Sequence, residues 1–350
     1  LIGGEYFIKL KPVEDSLLYS LSSVCPSYAW YSSGRDALFS ILSDLPSHRI
    51  WLPDFICKAI VDVALQADKE IHFYPVTEQL QPEETWLTNL QSGDIVFISH
   101  LFGITPHDML GKLAQTDADA IVISDLSHTV FHLSAWQNIA SKSTYLFSSL
   151  RKTMAVPDGA FIGSQKREIP TPKETASDGF WVPRAAALLS RGGSANQGFM
   201  SDENVTLFKR AEHWMDNNPA ANRKISDCSR SLLATRSEHE WEIERTETHH
   251  NQAILATHLS DKIVCPQVKP TRTLPEIAVC TFFIVLLDPA RRNKIKQVLA
   301  DQRIYCPVHW DTTFLNKEHI LSKKILSIPC DARYTDRDMK YIATIITAQL

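Results

Sequence analysis

No apolar run in the 350-residue chain is long enough to span a bilayer, and its first residues lack the charged and apolar regions of a signal peptide. A helical membrane protein is thereby excluded. Basic excess is also missing: 36 Lys and Arg against 40 Asp and Glu leave a net charge of -4, too little to draw a nucleic acid. No nucleic-acid and no membrane partner is expected. The seven cysteines are scattered and odd in number, and none forms a Cys-x-x-Cys pair. They read as reduced, buried thiols of a cytoplasmic protein rather than as a disulfide framework. Repeats and low-complexity tracts are absent. The chain opens on Leu1 rather than Met, so a few residues are expected to precede it.

What remains is a hydrophobic share of 44% and a charged share of 22%, the composition of a globular protein with room for a large domain and a smaller one. After a short opening segment at Gly3–Phe7, Ser33-Gly34-Arg35 leads into an apolar pattern of helical period (Ala37, Leu38, Ile41, Leu42, Leu45). Ser33 is a natural N-cap, and the first N–H groups of such a helix, with Arg35 beside them, make an anion site. The alternative reading is a plain helix start.

From residue 50 the pattern alternates. It predicts strands at Ile50–Pro53, Ile71–Val76, Ile95–His100, Ala120–Asp125 and Thr144–Ser148, with helices at Ile56–Ala67 and Asp108–Gln115. Short apolar strands with intervening helices predict a mostly parallel sheet covered on both faces. Ligands of such sheets sit at the carboxyl ends of the strands, where His100, Asp125 and His128 stand. Residues 165–226 read as a loop-rich excursion with a helix around Val205–Met215, and residues 226–260 as one long helix. A strand at Ala278–Leu287, a helix after Pro289, strands near Tyr305–His309 and at Ile325–Pro329, and a last helix capped by Thr335 or Asp336 predict a smaller α+β domain. The division expected is 1–235 for the large domain and 236–350 for the small one.

The strand ending at Ser148-Ser149 runs into Leu-Arg-Lys152, then a Pro157-Asp158-Gly159 turn and a second apolar run. A lysine held between apolar segments at a strand end is partly desolvated, which favours the free amine that forms a Schiff base with an aldehyde. Ser149, three residues earlier, can reach an anion beside it. An aldehyde carrying a phosphate describes pyridoxal 5'-phosphate (PLP). Asp125, directly after a buried strand, suits the carboxylate that keeps the PLP pyridine nitrogen protonated, and His128 can reach the ring face or its phenolic oxygen. A rival assignment makes Asp125, His128 and His132 a metal cluster, but a third strong ligand is missing, so no metal is expected.

The order Ser33-Gly34-Arg35, Leu52-Pro53-x-Phe-x-Cys57, His100-Leu-Phe-Gly103, Asp125-x-x-His128 and Ser149-Leu-Arg-Lys152 with Pro157-Asp158-Gly159 resembles the fold-type I PLP enzymes. Within these it is most similar to the DegT/StrS-type sugar-nucleotide aminotransferases. The resemblance extends through Arg245, Tyr305-Cys-Pro-Val-His309-Trp310 and Ser327-Ile-Pro-Cys-Asp-Ala-Arg333-Tyr334, essentially the whole chain. It implies an α/β fold, PLP as cofactor, and Lys152 as the Schiff-base lysine. It also implies Asp125 at the pyridine nitrogen, His128 where the family has Gln or His, and Gly34, Arg35 and Ser149 around the phosphate.

The chain departs from the family in three places. Arg35 stands where the family has Thr, Gly159-Ala160 replaces a Gly-Gly pair, and the ring-stacking aromatic falls near Phe55 or Cys57. Lys152 argues against the dehydratase branch, in which histidine replaces the lysine. The activity implied is transfer of an amino group from an amino acid to a keto-sugar nucleotide. The rivals are another PLP reaction type, such as a lyase or decarboxylase, and a non-catalytic protein that keeps the fold.

Two further expectations concern assembly and substrate. The resemblance implies a homodimer, with Arg191-Gly192-Gly193 as a glycine-rich loop able to approach a neighbour's phosphate site. His309, Trp310 and Arg333 are the substrate contacts expected from the small domain: an aromatic pair for a ring, and a planar fork for a carboxylate or phosphate.

Overall fold

In the computed structural model the described residues are 11–193, 202–268, 279–315 and 318–350. The chain opens with α1 (Leu17–Ser22), β1 (Ser27–Tyr31), α2 (Gly34–Asp44), β2 (Arg49–Pro53), α3 (Lys58–Gln66) and β3 (Glu70–Tyr74). It continues through β4 (Ile95–Ser99), α4 (His107–Leu113), β5 (Ile121–Asp125), α5 (Leu133–Lys142), β6 (Tyr145–Ser149) and β7 (Ala160–Ser164). Four helices follow: α6 (Asp178–Gly193), α7 (Asp202–Asn217), α8 (Asp227–Thr235) and α9 (Glu238–Leu259). The last part holds β8 (Phe282–Leu286), α10 (Pro289–Asp301), α11 (Ile320–Lys324), β9 (Ile325–Pro329) and α12 (Asp336–Thr347).

The first seven strands form one sheet in the order β1-β7-β6-β5-β4-β2-β3. All neighbours from β3 to β6 pair in parallel, and β7 alone runs against its neighbours. Central strands such as β4, Ile95-Val-Phe-Ile-Ser99, are apolar at consecutive positions because helices cover both faces. β7 is antiparallel because the loop carrying Lys152 turns straight back into it without a crossover helix.

Register then decides which residues meet. Tyr31 and Ser149 both pair with Ala160, so the turn after β1 and the loop after β6 emerge side by side. Asp125 pairs with Phe147 on one side and Ser99 on the other, one pleat period back. Strand ends that are distant in sequence therefore share one edge of the sheet.

The final part pairs β8 with β9 in a two-stranded antiparallel sheet packed against α9, α10 and α12. Several readings made from sequence need correction here. Ser27–Tyr31, to which no element was assigned from sequence, is a full strand. The long helix expected over 226–260 is two helices: Arg236 is extended, and Ser237 caps α9 in a capping box with Glu240. Residues 305–309 form no strand. Within the excursion at 165–226 the helix expected around Val205–Met215 is α7, and a further helix, α6, precedes it, because the run Arg184-Ala-Ala-Ala-Leu-Leu189 has strong helix propensity. Arg191–Gly193 closes α6 instead of forming a loop.

Candidate active site

At the carboxyl ends of the strands lies a cavity of about 210 Å³. Its wall includes Gly34, Arg35, Asp125, His128, Ser149, Lys152 and Trp310. These residues come from four separate stretches of sequence, which the fold gathers.

Asp125 ends β5 half-buried, and its Oδ1 accepts a hydrogen bond from the Ser127 N–H at 2.9 Å. Burial pushes its carboxyl above the usual range, while the Lys152 charge and hydrogen bonds from Ser127 pull it back. His128 is held well below the ordinary histidine value by burial first, then by the charges of Lys152 and His309. At neutral pH its imidazole is therefore neutral. The wall thus offers a carboxylate and a neutral ring on one turn, both within the field of a single lysine.

Lys152 closes a short 3₁₀ turn, Leu150–Lys152, whose first N–H donates to the Gly159 carbonyl at 3.0 Å. Asp158, fully buried, accepts hydrogen bonds from Ser32, Ser226 and Ser229 and so fixes the far side of the loop. The Lys152 side chain is exposed, which corrects the partial desolvation expected for it: the loop lies where the cavity opens to solvent. Its charge still reaches inward, acting on Asp125, His128, His309 and Cys280.

Ser149 is buried, and its N–H donates to Ser127 Oγ at 2.9 Å. Gly34 opens α2 directly against it: a Cβ on Gly34 would lie 3.3 Å from Ser149 Cβ and 3.0 Å from the Phe147 ring. Only a residue without a side chain lets the helix start this close to Ser149. Ser33 caps the helix, accepting from the Asp36 N–H at 3.1 Å. Arg35 lines the cavity, but its guanidinium donates to the Met215 carbonyl at 2.7 Å and pairs with Asp216 at 2.8 Å. Its fork is thus engaged by the end of α7.

One wall is aromatic. His128 stacks with Phe102 (centroids 4.9 Å apart) and with Trp310 (5.3 Å), and His309 meets Phe102 and His128 edge-on. His309 is buried, its Nδ1 is 2.8 Å from Ser327 Oγ, and burial, helped by the Lys152 charge, pushes it down to about 4. Of the three small-domain residues named from sequence, Trp310 lines the cavity and His309 backs it. Arg333 does neither: its guanidinium binds Asp331 through two hydrogen bonds, at 2.5 and 2.7 Å, on an exposed side chain. Phe55 is buried against Trp310 and His319, outside the cavity, whereas Cys57 lines it. His132 stands apart as the residue before α5, and no metal-binding cluster exists among the described residues.

Sequence reasoning assigned no role to Ser127, Arg151, Glu212 or Met215, all of which line the cavity. Arg151 and Arg184 share Glu212, at 3.2 and 2.9 Å, so α7 forms part of the wall. The signal for Ser127 lay within Asp125-x-x-His128; α7 was expected as a helix, but nothing local marked it as part of the wall.

No family model matches the chain, and no curated protein matches it. Solved structures do. The aminotransferase PseC of Helicobacter pylori, involved in pseudoaminic acid biosynthesis, superposes with a TM-score of 0.66 at 12% identity over 97% of this chain and 92% of its own. Streptococcus pneumoniae Spr1654 in its PLP form gives 0.66 at 13% identity, over 97% and 93%. A DegT DnrJ EryC1 StrS aminotransferase from Brucella abortus gives 0.62 at 15%, over 95% and 88%. This chain therefore has the fold-type I architecture of PLP-dependent transferases, spanning nearly the full length of these relatives in structure.

Proposed function

We propose that the chain is a PLP-dependent aminotransferase that moves an amino group from an amino acid such as glutamate to a keto-sugar nucleotide. The observation that carries this reading is that Lys152, Asp125, His128, Ser149 and the Gly34 helix start open on one cavity. The residues fit the cofactor. The Gly34 start brings the first turn of α2 up against Ser149 at the cavity wall, and Asp125 lines the same cavity with a neutral histidine alongside.

On this reading Gly34 and Ser149 would hold the phosphate through N–H and hydroxyl groups, Asp125 would keep the pyridine nitrogen protonated, and the His128 ring would lie beside the cofactor. When bound, PLP supplies an electron sink for the carbon that loses its proton. Lys152 would hold the cofactor through its Nζ, and the same amine, once free, would move the proton at the substrate carbon. The neutral rings of His128, His309 and Trp310 keep one side of the cavity apolar, which strengthens every charge contact within it.

The same reading makes residues 1–235 the cofactor-binding domain and 236–350 the smaller one, in a cytoplasmic homodimer whose sites lie at the interface. Trp310, backed by His309, is the substrate-facing aromatic of the small domain. Among the described residues no helix is long and apolar enough to cross a membrane. The test is a half-reaction: protein loaded with PLP, given L-glutamate, should lose its visible band and release 2-oxoglutarate in a stoichiometric burst. A band that persists under every amino donor overturns the assignment to amino transfer.

A further inference from the structure

Phe102 is a non-glycine residue in the left-handed region (φ 51°, ψ 38°), followed by Gly103 at φ 83°. A bulky side chain seldom adopts this conformation, and it persists only where neighbours determine it. Its ring is fully buried and stacks on His128, at 4.9 Å and 29°. What holds its backbone comes from the other end of the chain.

Gln267, in the segment between α9 and β8, is 2% exposed. Its Nε2 donates to the Phe102 carbonyl at 2.9 Å and to the Phe282 carbonyl at 2.9 Å. Its Oε1 accepts from the Ile284 N–H at 2.7 Å. Two carbonyls demand the NH₂ end and one amide demands the oxygen, so the side-chain orientation is fixed by its partners. No other residue type supplies two donors and an acceptor at this reach: Glu lacks the donors when ionised, and Met and Leu lack both.

We propose that Gln267 is a positioning residue for the cavity: by fastening the Phe102 carbonyl to the start of β8, it holds the left-handed turn that presents the Phe102 ring to His128. This rests on the reading of the cavity as a cofactor site. The small sheet then acts on the cofactor wall through one amide, with no contact of its own to the bound group. Trp310, on the same rings at 5.3 Å from His128, joins that wall from the segment before α11.

The test is a double-mutant cycle on the full chain with Gln267→Glu, Gln267→Met, Phe102→Leu and the doubles, read in two ways. In the apoprotein, amide exchange of the 100–105 peptide should quicken about ten-fold in both Gln267 variants, while peptides of β5 and α2 keep their protection. In the PLP titration, each single variant should raise Kd about five- to ten-fold, and each double should be no weaker than Phe102→Leu alone. Effects on Kd that multiply would show that Gln267 acts by general stability, and unchanged exchange at 100–105 would show that it does not hold the turn. Either result overturns the proposal. If both Gln267 variants fail to fold, Phe102→Leu decides: a Kd for PLP equal to that of the parent removes the ring through which Gln267 is said to act. A protein that binds no PLP refutes the cofactor reading and leaves the exchange measurement to judge the anchor.

Discussion

Ser127 Oγ accepts the backbone N–H of Ser149 at 2.9 Å, tying the turn that follows Asp125 to the strand end that precedes Lys152. The Ser127 N–H meanwhile donates to Asp125 Oδ1. One small residue thus sets the spacing between the carboxylate and the lysine loop.

Ser127→Ala leaves the Ser149 N–H buried without its partner, a cost of about 1–3 kcal/mol. Thermal stability should fall and PLP affinity weaken together, and Ser127→Thr should restore both in part. Calorimetry with a PLP titration checks this, and an alanine variant identical to the parent in both would deny the tie any role.

Lys152→Ala should abolish the visible band and the borohydride-trapped adduct without lowering the melting temperature, because the side chain is exposed and packs against nothing that the core needs. Mass spectrometry of the reduced protein reads the adduct. A trapped adduct surviving at full yield would move the covalent site elsewhere.

Asp125→Asn keeps the shape of the turn and removes the charge. Turnover should drop about 100-fold or more while Kd for PLP changes much less. Steady-state kinetics at saturating PLP make the comparison, and near-parental turnover would end the pyridine-nitrogen assignment.

His309 sits at about 4 in the folded chain, mainly through burial, against an ordinary value near 6.5. Between these values the unfolded chain takes up a proton that the folded chain refuses, so stability is complete above pH 6.5 and is lost as pH falls towards 4. The full loss is on the order of 3 kcal/mol. In apoprotein melts across this window, His309→Gln should show a shallower decline than the parent. Parallel curves would assign the decline to His128 and the carboxylates.

Arg333→Ala should leave the Kd for PLP and both substrate KM values within about two-fold, since Asp331 already occupies its guanidinium and Arg333 itself is exposed. A ten-fold rise in either KM would return Arg333 to the substrate site, reached across a subunit boundary.

Much of this site was legible in sequence because its parts are strand ends. Asp125 and Lys152 each follow an apolar run, and such runs at helix-length spacing define a parallel sheet almost by themselves. Gly34 was legible as a helix start, though the reason that only glycine serves there, the 3.3 Å approach to Ser149 Cβ, belongs to tertiary structure. β1 escaped notice because Ser27-Tyr-Ala-Trp-Tyr31 is an edge strand with one face half covered, and its short aromatic alternation ran directly into a serine turn. The split between α8 and α9 was readable after all: Ser237 with Glu240 is a capping box, passed over because the charged residues on both sides continued the helical pattern. That the Arg35 guanidinium is engaged could not be read from sequence, since its partners Met215 and Asp216 lie some 180 residues away.

The core beneath the cavity has a consequence for how the chain melts. Val279, Cys280, Ile284, Leu286, Leu321 and Ile325 from beyond residue 235 pack in the same apolar cluster as Trp51, Phe55, Val96 and Leu146 from before it. Neither part can shed the other without opening that shared interior to water, so the chain should unfold as one calorimetric unit. A single endotherm whose van't Hoff and calorimetric enthalpies agree would mark it as such, and a fragment cut between α8 and α9 would be expected to aggregate rather than fold.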